Sequence, residues 1–310
     1  MRRKILSFGA SLFLLFLCSS GASAFDLNLH GSMTENGPKH YSPPVSNPLF
    51  NETPYITTEL RPIYAYHDIH DSFLTGGGKI QVVGMEARVA LNERLGIIAS
   101  KDGYFNFDFD GVLQDEDGFA NISIGVKYAL VNNPEENRIV TVGLEYEPPS
   151  GNLITGIPGV PTKFRMQGTA DGFLDMFVSA AETWGKLGLE GNVGLNLAID
   201  PEANSSMIHL SAHADYEIIP DLFPLVEVNM FSIVDDGSRN PFNFEGLDIV
   251  NFGSGFSAGS TGPGTVATLA MGTRYKIMDH LIFGAAYELP ISDRKDLFGW
   301  RMTTDLVIYY

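Results

Sequence analysis

The stretch LGLEGNVGLNLAID, residues 187–200, decides the fold. Its odd positions read Leu187, Leu189, Gly191, Val193, Leu195, Leu197 and Ile199. Its even positions read Gly188, Glu190, Asn192, Gly194, Asn196, Ala198 and Asp200. A helix would scatter the two sets around its circumference, whereas a strand puts one on each face. Residues 208–218 repeat the pattern, with Ile208, Leu210, Ala212, Ala214, Tyr216 and Ile218 opposite His209, Ser211, His213, Asp215 and Glu217. So do residues 119–131, where Ile122, Ile124, Val126, Tyr128 and Leu130 oppose Asn121, Ser123, Gly125 and Lys127.

The same reading outward predicts twelve strands, at 55–66, 78–91, 95–107, 119–131, 138–147, 172–184, 187–200, 207–218, 223–234, 264–277, 281–291 and 300–310. Many exceed the five or six residues usual in soluble domains. A tilted strand needs about 9–11 residues to cross a bilayer. Links after the even strands are short, such as 92–94, 185–186 and 278–280; after the odd strands they are mostly longer, as at 148–171 and 235–263. Short turns at one end and long loops at the other is the bacterial barrel arrangement, with both termini on the short-turn, periplasmic side. No segment after the amino terminus approaches a run of 18 apolar residues, so membrane-spanning helices are excluded. The expected fold is all-β: a closed antiparallel transmembrane β-barrel of about 12 strands over residues 55–310. Three places strain it. Pro62 predicts a bulge at the seam, Lys101 on an apolar face predicts either a bulge or a misplaced strand boundary there, and the outer link 201–206 is short.

Residues 1–24 read as a secretory signal: Arg2, Arg3 and Lys4, the apolar run from Ile5 to Leu17, and a small-x-small site at Ala22-Ser23-Ala24. The bulky Leu17 before Cys18 disfavours lipidation of that cysteine. The signal holds three of the 20 basic residues and none of the 37 acidic ones, so the mature chain carries a net −20. That charge argues against nucleic acid as a partner. Cys18 is the only cysteine, which excludes disulfides, thiolate catalysis and cysteine-bound metals from the mature chain. Residues 25–54 carry Pro38, Pro43, Pro44, Pro48 and Pro54 without periodicity, an extended arm that lies in the periplasm or plugs the barrel.

At the carboxyl end Trp300, Met302, Thr304, Leu306, Ile308 and Tyr310 alternate to an aromatic last residue. The ending Asp305-Leu306-Val307-Ile308-Tyr309-Tyr310 resembles the terminal strand of Gram-negative outer-membrane β-barrel proteins, with Tyr where Phe is more usual. The resemblance covers the architecture over residues 55–310. It implies residence in the outer membrane, contact with its lipid and lipopolysaccharide, and recognition of the last strand by the barrel-assembly machinery.

Strand parity assigns a lumen face of both signs, including Glu86, Arg88, Lys127, Glu190, His209, His213, Asp215, Glu217, Glu227, Arg274, Glu288 and Arg301. Acids outnumber bases on it, so the leading expectation is a passive, non-enzymatic channel or transporter for small solutes with a mildly acidic, cation-preferring lumen. The alternative is a structural or surface-binding barrel whose charges pair and block the lumen; twelve strands lie between the packed and open sizes. A third reading rests on His209-Leu210-Ser211. It resembles the His-x-Ser pair of outer-membrane phospholipase A and the lipid A deacylases, implying a lipid hydrolase with Asp215 or Glu217 as third member. The Asn-Gly usual after that serine is replaced by Ala212-His213, and the pair faces inward rather than toward lipid. His209 and His213 are about 13 Å apart on a strand, too far to share a metal.

Asn106-Phe107-Asp108-Phe109-Asp110-Gly111, with Asp117, has the ligand spacing of a calcium loop: oxygens at one, three, five and twelve, glycine at six. No other cofactor is expected. The competing expectation is a strand end with Phe105, Phe107 and Phe109 in the outer aromatic belt and the polar residues inward. The Gly- and Phe-rich loop 235–263 either folds into the mouth or lies mobile on the surface.

Overall fold

The computed structural model describes residues 27–33, 40–161, 163–238, 244–253 and 264–310. The expected signal, 1–24, lies outside them. The strands are β1 (Glu59–Ile69), β2 (Gly78–Ala90), β3 (Leu95–Phe109), β4 (Glu116–Phe119), β5 (Ser123–Asn133), β6 (Arg138–Glu147), β7 (Ile154–Gly156), β8 (Lys163–Arg165), β9 (Phe173–Trp184), β10 (Leu187–Ala198), β11 (Ser206–Tyr216), β12 (Leu222–Asp235), β13 (Thr265–Met278), β14 (Leu281–Pro290) and β15 (Phe298–Tyr309). Twelve of them form one antiparallel ring in the order β1-β2-β3-β5-β6-β9-β10-β11-β12-β13-β14-β15, and β15 pairs back onto β1. β4 extends the ladder beside the outer half of β3, and β7 with β8 forms a small hairpin in the 148–172 loop.

The ring is inside-out relative to a soluble protein. Arg274, His209 and Glu227 are fully buried, whereas Val83 and Met271 are at least 60% exposed. An outer surface of that kind is solvated by acyl chains, and closure leaves no strand edge with unpaired amides. Tyr104, Tyr128, Tyr146, Trp184, Tyr216, Tyr275 and Tyr287 point outward, as an aromatic girdle requires. Tyr66, Trp300 and Tyr287 form one stack on it, with centroids 5.3 and 5.5 Å apart.

Three details correct the sequence reading. Pro62 causes no bulge: the β1–β15 register runs unchanged from Leu60↔Ile308 to Ile63↔Asp305, and the shift comes at Asp68/Ile69. Strand one also starts four residues later than expected, because 55–58 belong to the arm. At Lys101 the bulge is present. Its φ is +53°, and the β2–β3 register shifts between Met85 and Ala87. One extra residue exchanges the two faces of everything beyond it. Phe105, Phe107 and Phe109 therefore turn inward, stacked at 5.8 and 5.6 Å, and Asn106, Asp108 and Asp110 turn outward.

Interior glycines make room for the larger groups opposite. A Cβ on Gly284 would lie 2.3 Å from Arg274 and 2.4 Å from Asp305, and one on Gly194 would meet the His209 ring at 2.2 Å.

Candidate functional site

Residues 40–58 run inside the ring. The segment enters at the short-turn end, where His40 Nε2 lies 2.5 Å from Asp215 and Tyr41 donates to Glu59 at 2.7 Å. It climbs to a turn closed by Asn51 N–H donating to the Asn47 carbonyl, with Asn47 at φ +50°, and descends into β1. Inside a ring whose ladders are complete, a threaded backbone must find other partners. Proline reduces the demand by removing donors. The carbonyls left over are met by wall side chains. Arg274 donates to Pro43 and Pro44 at 2.7 Å each, Arg61 to Pro44 at 2.8 Å, and Thr141 to Pro54 at 2.6 Å. The amides of Val45 and Ser46 both donate to the Glu227 carboxylate, at 2.8 and 2.6 Å.

One acidic side chain anchors the descending limb. Glu52 takes two bonds from Arg88, at 2.8 and 2.5 Å, and one from Lys127 at 2.6 Å. Around this anchor the wall charges are paired: Arg88 with Glu59 and Glu86, Arg61 with Glu86 and Asp305, Arg274 with Asp305, Arg301 with Glu288. His213 bridges Asp215 at 3.1 Å and Glu227 at 2.8 Å. Of the twelve residues expected in the lumen, eleven face it, Glu190 through a bond from Thr53 at 3.1 Å. Glu217 does not. It lies past the end of β11, where its carboxylate accepts from the Asp221 amide at 3.4 Å. Glu52 and Asp175 belong to the same set but escaped the sequence reading.

From the other end, residues 244–253 fold into the mouth. Leu247, Ile249, Val250 and Phe252 are buried, and Asp248 reaches Arg301 at 2.6 Å. Expected loop residues 239–243 and 254–263 lie outside the described set. Glu245 is sunk beside Asp296, with Ser205 Oγ donating to it at 2.8 Å and the Phe252 amide at 3.0 Å. Burial outweighs those donors and, with Asp296 opposing ionisation, pushes the Glu245 carboxyl up to about 7. Burial likewise pushes Asp296 up to about 6, against the pull of Arg294. A carboxyl whose proton is bound more tightly in the closed mouth than in water adds stability below its ordinary pKa and loses it as pH rises toward 7. Segment 244–253 is therefore expected to become exchange-labile between about pH 5 and 8, judged by amide hydrogen exchange corrected for intrinsic rates. Glu245→Gln should weaken that trend and leave the smaller part due to Asp296.

The calcium loop expected of residues 106–117 is not formed. Asn106 and Asp108 lie along extended β3, Asp110 follows it, Asp108 pairs with Lys79 at 2.9 Å, and Asp117 on β4 accepts from Tyr104. Side chains two apart on a strand point the same way about 6.6 Å apart, so they cannot wrap one ion. Among the described residues no group of three or more His, Cys, Asp and Glu could hold a metal. His209 and Ser211 are inward and buried but are not joined: His209 Nε2 bonds Asp175 at 2.9 Å, and Ser211 Oγ donates to Asn229 at 2.7 Å.

No family model and no curated protein matches the chain. Solved structures do. An outer membrane channel from Pseudomonas putida F1 is 10% identical, with 82% of this chain and 96% of that one covered at a TM-score of 0.55. The β domain of the Bordetella autotransporter BrkA is 12% identical, covering 82% and 100% at 0.50. The NanC porin is 9% identical, covering 82% and 99% at 0.47. The fold is that of the outer-membrane β-barrels.

Proposed function

We propose that the protein is an outer-membrane channel for small solutes whose conducting state requires residues 40–58 to leave the lumen. The observation that carries this reading is the chemistry of the wall behind the arm. Buried ion pairs can often be replaced by apolar side chains at little or no cost in stability. A barrel filled for good could dispense with Arg61, Arg88, Lys127 and Arg274, whereas a wall that keeps them stays wettable when the arm departs. Acids outnumber bases on that wall, so the open state prefers cations. A permanently filled structural barrel is the second reading, favoured by the density of the pairing.

Asn47 Nδ2 donates to Ser211 Oγ at 3.2 Å, so the apex can be tied to the wall. In an Asn47→Cys/Ser211→Cys variant joined by a short bis-methanethiosulfonate, planar bilayers are expected to show no current. Discrete openings should appear once the link is reduced. Silence in both states, and in the unmodified protein, would leave only the filled barrel.

A further inference from the structure

Between the apex of the arm and segment 244–253 lie two small cavities of about 30 and 40 Å³ that share Leu49, Lys101, Phe105 and Ile249 in their walls. Adjacent through these four residues, they are described together as the two lobes of one chamber. Each has room for roughly two to four waters, at about 10–15 Å³ apiece. The chamber owes its shape to bare backbone: Gly84 of β2 lies opposite Gly103 of β3, so no side chain enters from that stretch of wall.

The polar atoms around it are unusually one-sided. His67 Nε2 faces the Leu297 carbonyl at 3.2 Å, and a carbonyl only accepts, so that nitrogen carries the proton and Nδ1 is left as a bare acceptor. His67 Nδ1, Glu86 Oε1, Asp248 Oδ1 and the Thr303 hydroxyl are all buried with no hydrogen-bond partner. Their residues line the two lobes. Three of the four atoms can only accept. The nearby donors, in contrast, are engaged: Lys101 Nζ with Glu147 at 2.8 Å, and Arg301 with Asp248 and Glu288. Ile63, Val82, Phe105 and Ile249 supply an apolar face.

We propose that this chamber is a solute-binding site for small molecules with an apolar body and a hydroxyl or amine donor group, and that it discriminates against carboxylates. Unpaired buried acceptors reward a ligand that brings O–H or N–H groups and penalise one that brings only lone pairs. The inference rests on the channel reading in one respect: a solute larger than a few waters needs Leu49, on the arm, to withdraw.

The test uses three ligands with one ring and three polar groups: benzyl alcohol, benzylamine and benzoate. They are titrated into the purified full-length protein in detergent and followed by ligand-observed NMR against empty micelles. The alcohol and the amine, compared directly, separate a hydroxyl source from an ammonium one. At least one of them is expected to bind saturably and about tenfold or more tighter than benzoate. Thr303→Val, which keeps the shape and removes the hydroxyl, should weaken the tighter ligand about three- to tenfold. Ala65→Leu, which fills a lobe, should abolish saturable binding of all three in protein that still shows heat-modifiable migration. Benzoate binding as tightly as the other two, no saturable binding of any, or affinities untouched by both variants would overturn the proposal. Conductance is recorded separately. Binding without current refutes the channel and keeps the chamber; current without binding refutes the chamber alone.

Discussion

Glu52→Ala is expected to turn a mostly silent barrel into one that conducts for much of the recording. The Glu52 carboxylate is shared by Arg88 and Lys127. Arg88 keeps Glu59 and Glu86 when it goes, but Lys127 is left with the Thr53 carbonyl, itself part of the arm. Stranding a buried charge costs about 3–5 kcal/mol when nothing replaces its partner. The chain can relieve that cost by releasing the arm and hydrating Lys127. A shift of about 3 kcal/mol moves the ratio of seated to released arm roughly a hundredfold. Single-channel open probability reads it directly. Lys127→Met added to Glu52→Ala removes the stranded ammonium and should bring the open probability back down. An open probability unchanged in the single variant would count against the Glu52 anchor.

Asp305→Ala should produce the largest loss of stability of any single lumen substitution. Its carboxylate on β15 is the meeting point of Arg61 from β1 and Arg274 from β13, and all three are buried. Arg274 is left with the Pro43 and Pro44 carbonyls alone while Arg61 falls back on Glu86, so the loss should reach about 3–5 kcal/mol. The heat-induced change in gel mobility should then occur at a clearly lower temperature. Asp305→Asn, which keeps one acceptor oxygen, should fall between. Arg61→Met/Arg274→Met/Asp305→Leu should recover the wall while leaving the Pro43 and Pro44 carbonyls without donors, about 1–3 kcal/mol each. That triple variant separates the stability of the ring from the seating of the arm: it should melt near wild type and yet conduct.

The ring was legible because its signal is repeated. Period two over residues 187–200 and its recurrences located all twelve barrel strands, and the alternation of short and long links set both ends. The errors trace to single residues. The irregularity at Lys101 shows in the sequence as a basic residue on an oily face, but the exchange of faces that follows from it does not. Everything beyond it changes sides, which is why Phe105, Phe107 and Phe109 point in and the apparent calcium ligands point out. Glu217 continues the parity of β11 but lies one residue past its end, where alternation no longer fixes a face. The arm could not be placed from sequence, since a proline-rich segment has no period to fix which side chain faces what. Nothing in Asn51-Glu52-Thr53-Pro54 marks Glu52 as an anchor; its role depends on Arg88 and Lys127, distant along the chain. His209 and Ser211 showed the converse limit: a strand places them on one face but cannot make them touch.

The position of the arm also constrains the order of manufacture. Its carbonyls at Pro43 and Pro44 are gripped by Arg274 and by Arg61, the latter on β1, while both arginines share Asp305 on the last strand. First and last strands meet around a segment that precedes both in sequence. The arm is therefore expected to serve as a mandrel on which the cylinder is rolled: the seam closes around it, and its release to open the lumen comes only after closure.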